Sequence, residues 1–122
     1  MQHSILILDD DVHVRESLAI ALEDEGFIVF EADSAEAAFE FLEVRRVDMV
    51  IVDLRLPGMN GTDFINAAAV RWPDMKFVIY TGSPEFKIPL GLSRKTNVSN
   101  SVFIKPLPSS DPLVDEMRRM LA

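Results

Sequence analysis

Acidic side chains stand where two apolar runs of this 122-residue chain stop: Asp9, Asp10 and Asp11 follow residues 5–8, and Asp53 follows residues 49–52. A hydroxyl and an ammonium hold the matching places further on, Thr81 after residues 77–80 and Lys105 after residues 102–104. If these runs are strands of one parallel sheet, their carboxyl ends share the edge at which such sheets bind ligands. Three carboxylates, Asp9, Asp10 and Asp53, would then meet a hydroxyl and an ammonium. Packed within several ångströms, the acids repel by several kcal/mol at an effective dielectric of about 20. A hard divalent cation with a preference for oxygen, Mg2+ above all, relieves that repulsion. Cation, Lys105 and Thr81 together suit the oxygens of a phosphoryl group, with the Asp53 carboxylate as nucleophile.

Each of these residues taken singly has a plainer explanation. An Asp closing a strand is a common turn former, Thr is a common strand residue, and a Lys at a strand end is commonly solvated. Asp11 is expected to cap the first helix rather than to bind metal. His3 and His13 have no evident partners and read as surface residues. The weight of the pattern lies in the combination.

The elements that must carry this site follow from apolar spacing. Residues 49–52 include Val50, Ile51 and Val52 with no polar alternation, which reads as a strand covered on both faces. Residues 5–8 form a second such run, and 27–32, 77–80 and 102–104 complete a set of five. Between them, Val14, Leu18, Ala21 and Leu22 make one helical face ending at Gly26, and Ala35, Ala38, Phe39 and Leu42 make another behind a Ser34 cap. Phe64, Ile65, Ala68 and Trp72 form a third, closed by Pro73. The last helix begins near Asp111, with Pro112 at its first position and Leu113, Val114 and Met117 inward. Pro57, Gly58, Asn60 and Gly61 supply turn chemistry after Asp53. Strands alternating with helices predict an α/β fold, a doubly wound parallel sheet in three layers. Residues 84–100 break the rhythm, because Pro84, Pro89 and Gly91 oppose a regular helix, so an irregular or shortened fourth helix is expected there.

Composition narrows the function. The length suits one domain spanning 1–122. Twelve Lys and Arg against 20 Asp and Glu leave a net charge of -8, which repels a phosphate backbone and argues against direct nucleic-acid binding. Cysteine is absent, which removes disulfides, thiol catalysis and cysteine-held zinc and fits a reducing compartment. No run approaches membrane-spanning length, and the first is too short for a signal-peptide core, so a cytoplasmic location is expected.

In its pair Asp9-Asp10, in Asp53 with the following LRLPGMNG, in Thr81 and in Lys105-Pro106, all in order, the chain resembles a response-regulator receiver domain over its whole length. The resemblance implies a flavodoxin-like five-stranded sheet. It implies that Asp53 accepts phosphate from the phosphohistidine of a histidine kinase or histidine phosphotransfer protein and relays the signal to a downstream protein. Asp10 and Asp53 would hold Mg2+ directly, Asp9 through water, and the backbone carbonyl of Arg55 would be a further ligand. Thr81 and Lys105 would contact the phosphoryl group, and a cis Lys105-Pro106 bond would aim the ammonium at Asp53. The domain would be a signalling element rather than an enzyme, apparently stand-alone, with phosphorylation-dependent homodimerisation open.

The chain departs from the receiver pattern at Val102, where an aromatic residue often stands on strand five; Phe103 is out of phase with it. Arg55 and Ser83, each two residues beyond a site residue, flank the reacting phosphorus, so the resemblance does not set the phosphoryl lifetime. Two rival functions stand beside the receiver reading. One is a docking module of the same fold that never carries phosphate. The other is a haloacid-dehalogenase-like phosphatase, suggested by Asp9 and Asp11 but opposed by His13 and by the lack of room for a cap domain.

Overall fold

The computed structural model describes residues 2–82 and 97–122. Strands β1 (Ser4–Leu8), β2 (Ile28–Ala32), β3 (Met49–Val52), β4 (Lys76–Thr81) and β5 (Val98–Ile104) form one parallel sheet in the order β2-β1-β3-β4-β5. Helices α1 (Val12–Asp24), α2 (Ala35–Val44), α3 (Gly61–Arg71) and a C-terminal helix (Asp111–Leu121) complete the described elements.

Strand alternation builds the two halves of the core. Ile5, Ile7, Met49, Ile51, Val78 and Tyr80 pack with Leu18 and Leu22 of α1 and with Leu113 and Met117 of the C-terminal helix. Leu6, Leu8, Val50, Val52, Phe77 and Ile79 face the other way, onto Ala38 and Leu42 of α2 and Phe64 and Ile65 of α3. Both faces of β3 are therefore covered, and all four of its residues are buried, which is why it shows no polar alternation. The expected three-layer, flavodoxin-like α/β architecture is the observed one.

Local chemistry sets the helix limits. The Asp11 carboxylate accepts from the amides of His13 and Val14 at 3.0 and 3.1 Å, so Asp11 caps α1 as expected. Ser34 accepts from the Ala37 amide at 3.1 Å and Asn60 from the Asp63 amide at 2.9 Å, capping α2 and α3. Each such cap contributes about 1 kcal/mol. Gly26 turns the chain out of α1 with a φ of 96°, a region open to glycine at little cost.

β1 and β2 each shift by one residue at one end from the sequence expectation, β4 by one residue at both, and two further boundaries differ. β5 begins at Val98 rather than at 102, because the polar residues 99–101 are absorbed in an irregularity of the β4–β5 register. The buried Ser99 hydroxyl donates to Glu116 of the C-terminal helix and accepts from the Ser101 amide, which lets a polar residue enter the sheet. The C-terminal helix has Ser110 at its N-cap position, so Pro112 is its second residue, not its first. The irregular or shortened fourth helix expected over 84–100 falls largely on residues 83–96, which lie outside the described residues.

Candidate functional site

Backbone pairing runs one residue past the strands and thereby sets the site. The amide of Asp9 donates to the Ala32 carbonyl at 3.1 Å, that of Asp53 to Leu8 at 2.9 Å, and that of Lys105 to Thr81 at 2.9 Å. Side-chain alternation persists through these bonds, so Asp9 follows Ile5 and Ile7, Asp53 follows Met49 and Ile51, and Lys105 follows Phe103. All three belong to the α1 side of the sheet. Because β1 and β3 are neighbours with Leu8 opposite Val52, Asp9 and Asp53 emerge side by side where the strand order reverses.

The two acids are nearly inaccessible, with 2% and 5% of their surfaces exposed, whereas Asp10 is exposed. One carboxylate oxygen from each of Asp9, Asp10 and Asp53 lies within 4.8 Å of the others. At that separation Asp9 and Asp53 repel by about 3 kcal/mol at an effective dielectric of about 20. Lys105 answers the repulsion: its Nζ donates to Asp9 Oδ2 at 2.5 Å and to Asp53 Oδ2 at 2.8 Å. The remaining oxygens turn to backbone amides two residues on, Asp9 Oδ1 accepting from Asp11 at 2.9 Å and Asp53 Oδ1 from Arg55 at 3.0 Å.

Burial pushes the Asp9 carboxyl above its ordinary range, outweighing the hydrogen bonds from Lys105 and the Asp11 amide, and repulsion from Asp53 acts in the same sense. For Lys105, burial acts to lower the pKa, but the hydrogen bonds to Asp53 and Asp9 together exceed it and leave the ammonium more strongly protonated than usual. Three carboxylates against one ammonium leave two negative charges in a cluster whose side-chain acceptors are all oxygens. That donor set fits a small divalent cation such as Mg2+ and offers no soft ligand.

Of the remaining sequence-predicted residues, Thr81 is fully buried at the end of β4, joined to Lys105 through its carbonyl. Arg55 is exposed in the loop after Asp53, and its amide donates to Asp53 Oδ1 at 3.0 Å. The Lys105-Pro106 bond is cis, as expected. Asp11 caps α1, as expected, and is not one of the three acids that cluster. Val102 is half-buried opposite Ile79 and packs into the core beneath α2 and α3.

Gly61 closes the loop onto the site. A Cβ there would lie 2.4 Å from the Asp53 carbonyl oxygen and 2.7 Å from Leu54 Cα, so the start of α3 approaches β3 as closely as it does only because the side chain is missing. Two contacts were not foreseen from the sequence. The Tyr80 ring lies beneath the Lys105 ammonium, 5.7 Å from centroid to Nζ. Arg15 of α1 donates to the Asp9 carbonyl at 2.7 Å. A cation one helical turn beyond an acidic loop was the available signal for Arg15. A groove of about 440 Å³ opens beside these residues, between α1 and the 105–110 loop, lined by His13, Leu18, Tyr80, Lys105 and Leu107 among others.

Comparison with known proteins agrees with this geometry. Residues 5–91 match the family described as the response regulator receiver domain. The C4-dicarboxylate transport transcriptional regulatory protein DctD of Rhizobium meliloti is 30% identical over 116 residues, covering 95% of this chain and 25% of that protein. The chain spans only 24% to 30% of the length of such curated relatives. Among solved structures, a CheY-like receiver domain protein from Methanospirillum hungatei superposes with a TM-score of 0.83 at 27% identity, covering 99% of this chain and 94% of that one. The response regulator TrrA of Thermotoga maritima, solved in complex with Mg2+-BeF, shares the fold with a TM-score of 0.84 at 22% identity, covering 98% and 99%. No helix among the described residues is long and apolar enough to cross a membrane. The chain belongs to the response regulator receiver domain family of two-component signalling.

Proposed function

We propose that Asp53 is the phosphoacceptor of a phosphorelay, taking a phosphoryl group from a histidine kinase or histidine phosphotransfer protein and passing the signal on by protein contact. The observation that carries this reading is the single ammonium of Lys105 shared by Asp9 and Asp53 within a three-carboxylate cluster. An Asp53 oxygen attacks phosphorus, the new P–O bond forms as the P–N bond of the phosphohistidine breaks, and the imidazole leaves with the electron pair. Lys105, already turned to Asp53, balances charge on the transferred oxygens, and Thr81 offers a hydroxyl at the same edge. Asp9, Asp10 and Asp53, with the Arg55 carbonyl, would hold Mg2+, which when bound neutralises negative charge on the phosphoryl oxygens.

Acetyl phosphate with magnesium tests the reading without a partner protein. Intact-mass and peptide analysis should find one phosphoryl group, mapped to Asp53 and absent from Asp53→Asn. A wild-type protein that takes no label and binds no beryllofluoride would support the docking module instead.

A further inference from the structure

Asp10 presents a puzzle of support. Its carboxylate sits within 4.8 Å of two others, is exposed, and has no hydrogen-bond or ion-pair partner among the described residues. Like charge should drive it outward, so the backbone that carries it must be held. On its far side, Asp11 is fixed as the α1 cap. On its near side, Asp9 is pinned through its amide to Ala32 and through Oδ1 to the Asp11 amide. Those contacts leave open a rotation of the peptide plane between Asp9 and Asp10, which would carry the Asp10 side chain with it. The carbonyl of that peptide is the atom to which Arg15 Nη1 donates at 2.7 Å.

Arg15 is itself oriented. Its Nε donates to Glu31 Oε1 at 3.0 Å, and the Arg15 side chain is only 15% exposed. Glu31 lies on β2, directly opposite Ile7 of β1, so the pair ties the acidic loop to the neighbouring strand. The planar guanidinium spans both acceptors at once with two separate N–H groups, which a lysine ammonium on a flexible stem does not reproduce.

We infer that Arg15, held by Glu31, is a positioning residue that fixes the Asp9-Asp10 peptide and so presents Asp10 to the cation and the incoming phosphoryl group. The inference rests on the magnesium-dependent acceptor reading above. Removing groups that orient metal ligands typically weakens metal binding about 10- to 100-fold.

Calorimetric titration of Mg2+ into the full chain, paired with urea unfolding in the absence of metal, tests it. Arg15→Ala should weaken magnesium binding about tenfold or more while shifting the metal-free unfolding midpoint little. Glu31→Gln, which keeps an acceptor for Nε, should bind close to wild type, and Glu31→Ala should fall between. Arg15→Lys should resemble Arg15→Ala. Wild-type affinity in Arg15→Ala overturns the inference alone, and wild-type affinity in Arg15→Lys shows that charge, not the hydrogen-bond fork, is what counts and overturns it too. Should Arg15→Ala not fold, the Glu31→Ala and Glu31→Gln pair decides, and equal affinities there overturn it. A wild-type chain that binds no magnesium overturns the acceptor reading, and this inference with it.

Discussion

Lys105 and Asp9 stand 96 positions apart in the chain and meet at 2.5 Å, Nζ to Oδ2, with 12% and 3% of their side chains exposed. The same ammonium holds Asp53, so removing it leaves two buried carboxylates without their shared counter-charge. Breaking a buried ion pair from one side costs about 3 to 5 kcal/mol. Lys105→Met should lower stability at neutral pH on that scale by urea denaturation, and added magnesium should recover part of the loss. A variant as stable as wild type in metal-free buffer would show that the cluster is already neutralised by other means.

Magnesium should raise the thermal midpoint of the wild-type protein. A ligand that binds only the folded state contributes about 2.7 kcal/mol at 100 times its dissociation constant. The shift should vanish in Asp53→Ala and shrink strongly in Asp10→Ala, as read by calorimetric melts with and without the ion. An unchanged wild-type melt would remove the cation from the proposed site.

Gly61→Ala should distort the acceptor loop. The added methyl meets backbone at 2.4 and 2.7 Å rather than a side chain that can swing aside, so Asp53 and Leu54 must move. Overpacking of this kind costs about 1 to 3 kcal/mol. Gly82→Ala is the control for stability, since a Cβ built there meets no atom of the described residues within 4 Å, its chain neighbours aside. Equal unfolding midpoints for the two variants would contradict the close approach.

Glu116 gives a pH dependence outside the acid cluster. Hydrogen bonds from Arg119 hold its carboxyl below the usual range against the opposing effect of burial, and Ser99 adds to them. A depressed folded pKa means that the stabilisation is present above the ordinary Glu value and is lost as pH falls through the lower folded one. Glu116→Gln should therefore cost about 1 kcal/mol at pH 7, the scale of one hydrogen bond, and little once wild-type Glu116 is itself protonated in acid. Urea midpoints measured across that range would refute the linkage if the gap between the proteins stayed constant.

Tyr80, the one tyrosine of the chain, should report on Lys105. Its ring lies 5.7 Å from Nζ, and burial raises its hydroxyl pKa against a hydrogen bond from the Leu107 amide. If Lys105 turns towards a phosphoryl group on Asp53, the ring protons of Tyr80 should shift in NMR spectra on adding beryllofluoride and magnesium. The same addition to Asp53→Asn should leave them in place. Ring signals that stay fixed in a wild-type protein shown to bind the mimic would mean that the ammonium does not move.

The local rules of the chain were legible without coordinates. The aliphatic runs at 5–8 and 49–52, the caps at Asp11 and Ser34 and the breaker at Gly26 act over a few residues, so period and residue type alone specify them. So was the placement of Asp9, Asp10, Asp53, Thr81 and Lys105 at the carboxyl ends of strands, because each stands at the end of an apolar run. Local pattern misjudged β5, whose polar residues 99–101 belong to the strand only because Glu116 of a distant helix supplies a partner for Ser99. Only the tertiary structure decided that one ammonium serves Asp9 and Asp53 together, that Tyr80 lies beneath it, and that Arg15 and Glu31 hold the loop under Asp10. Those relationships depend on strand order and on side-chain reach across neighbouring strands, and neither is encoded in the spacing of residues along a single segment.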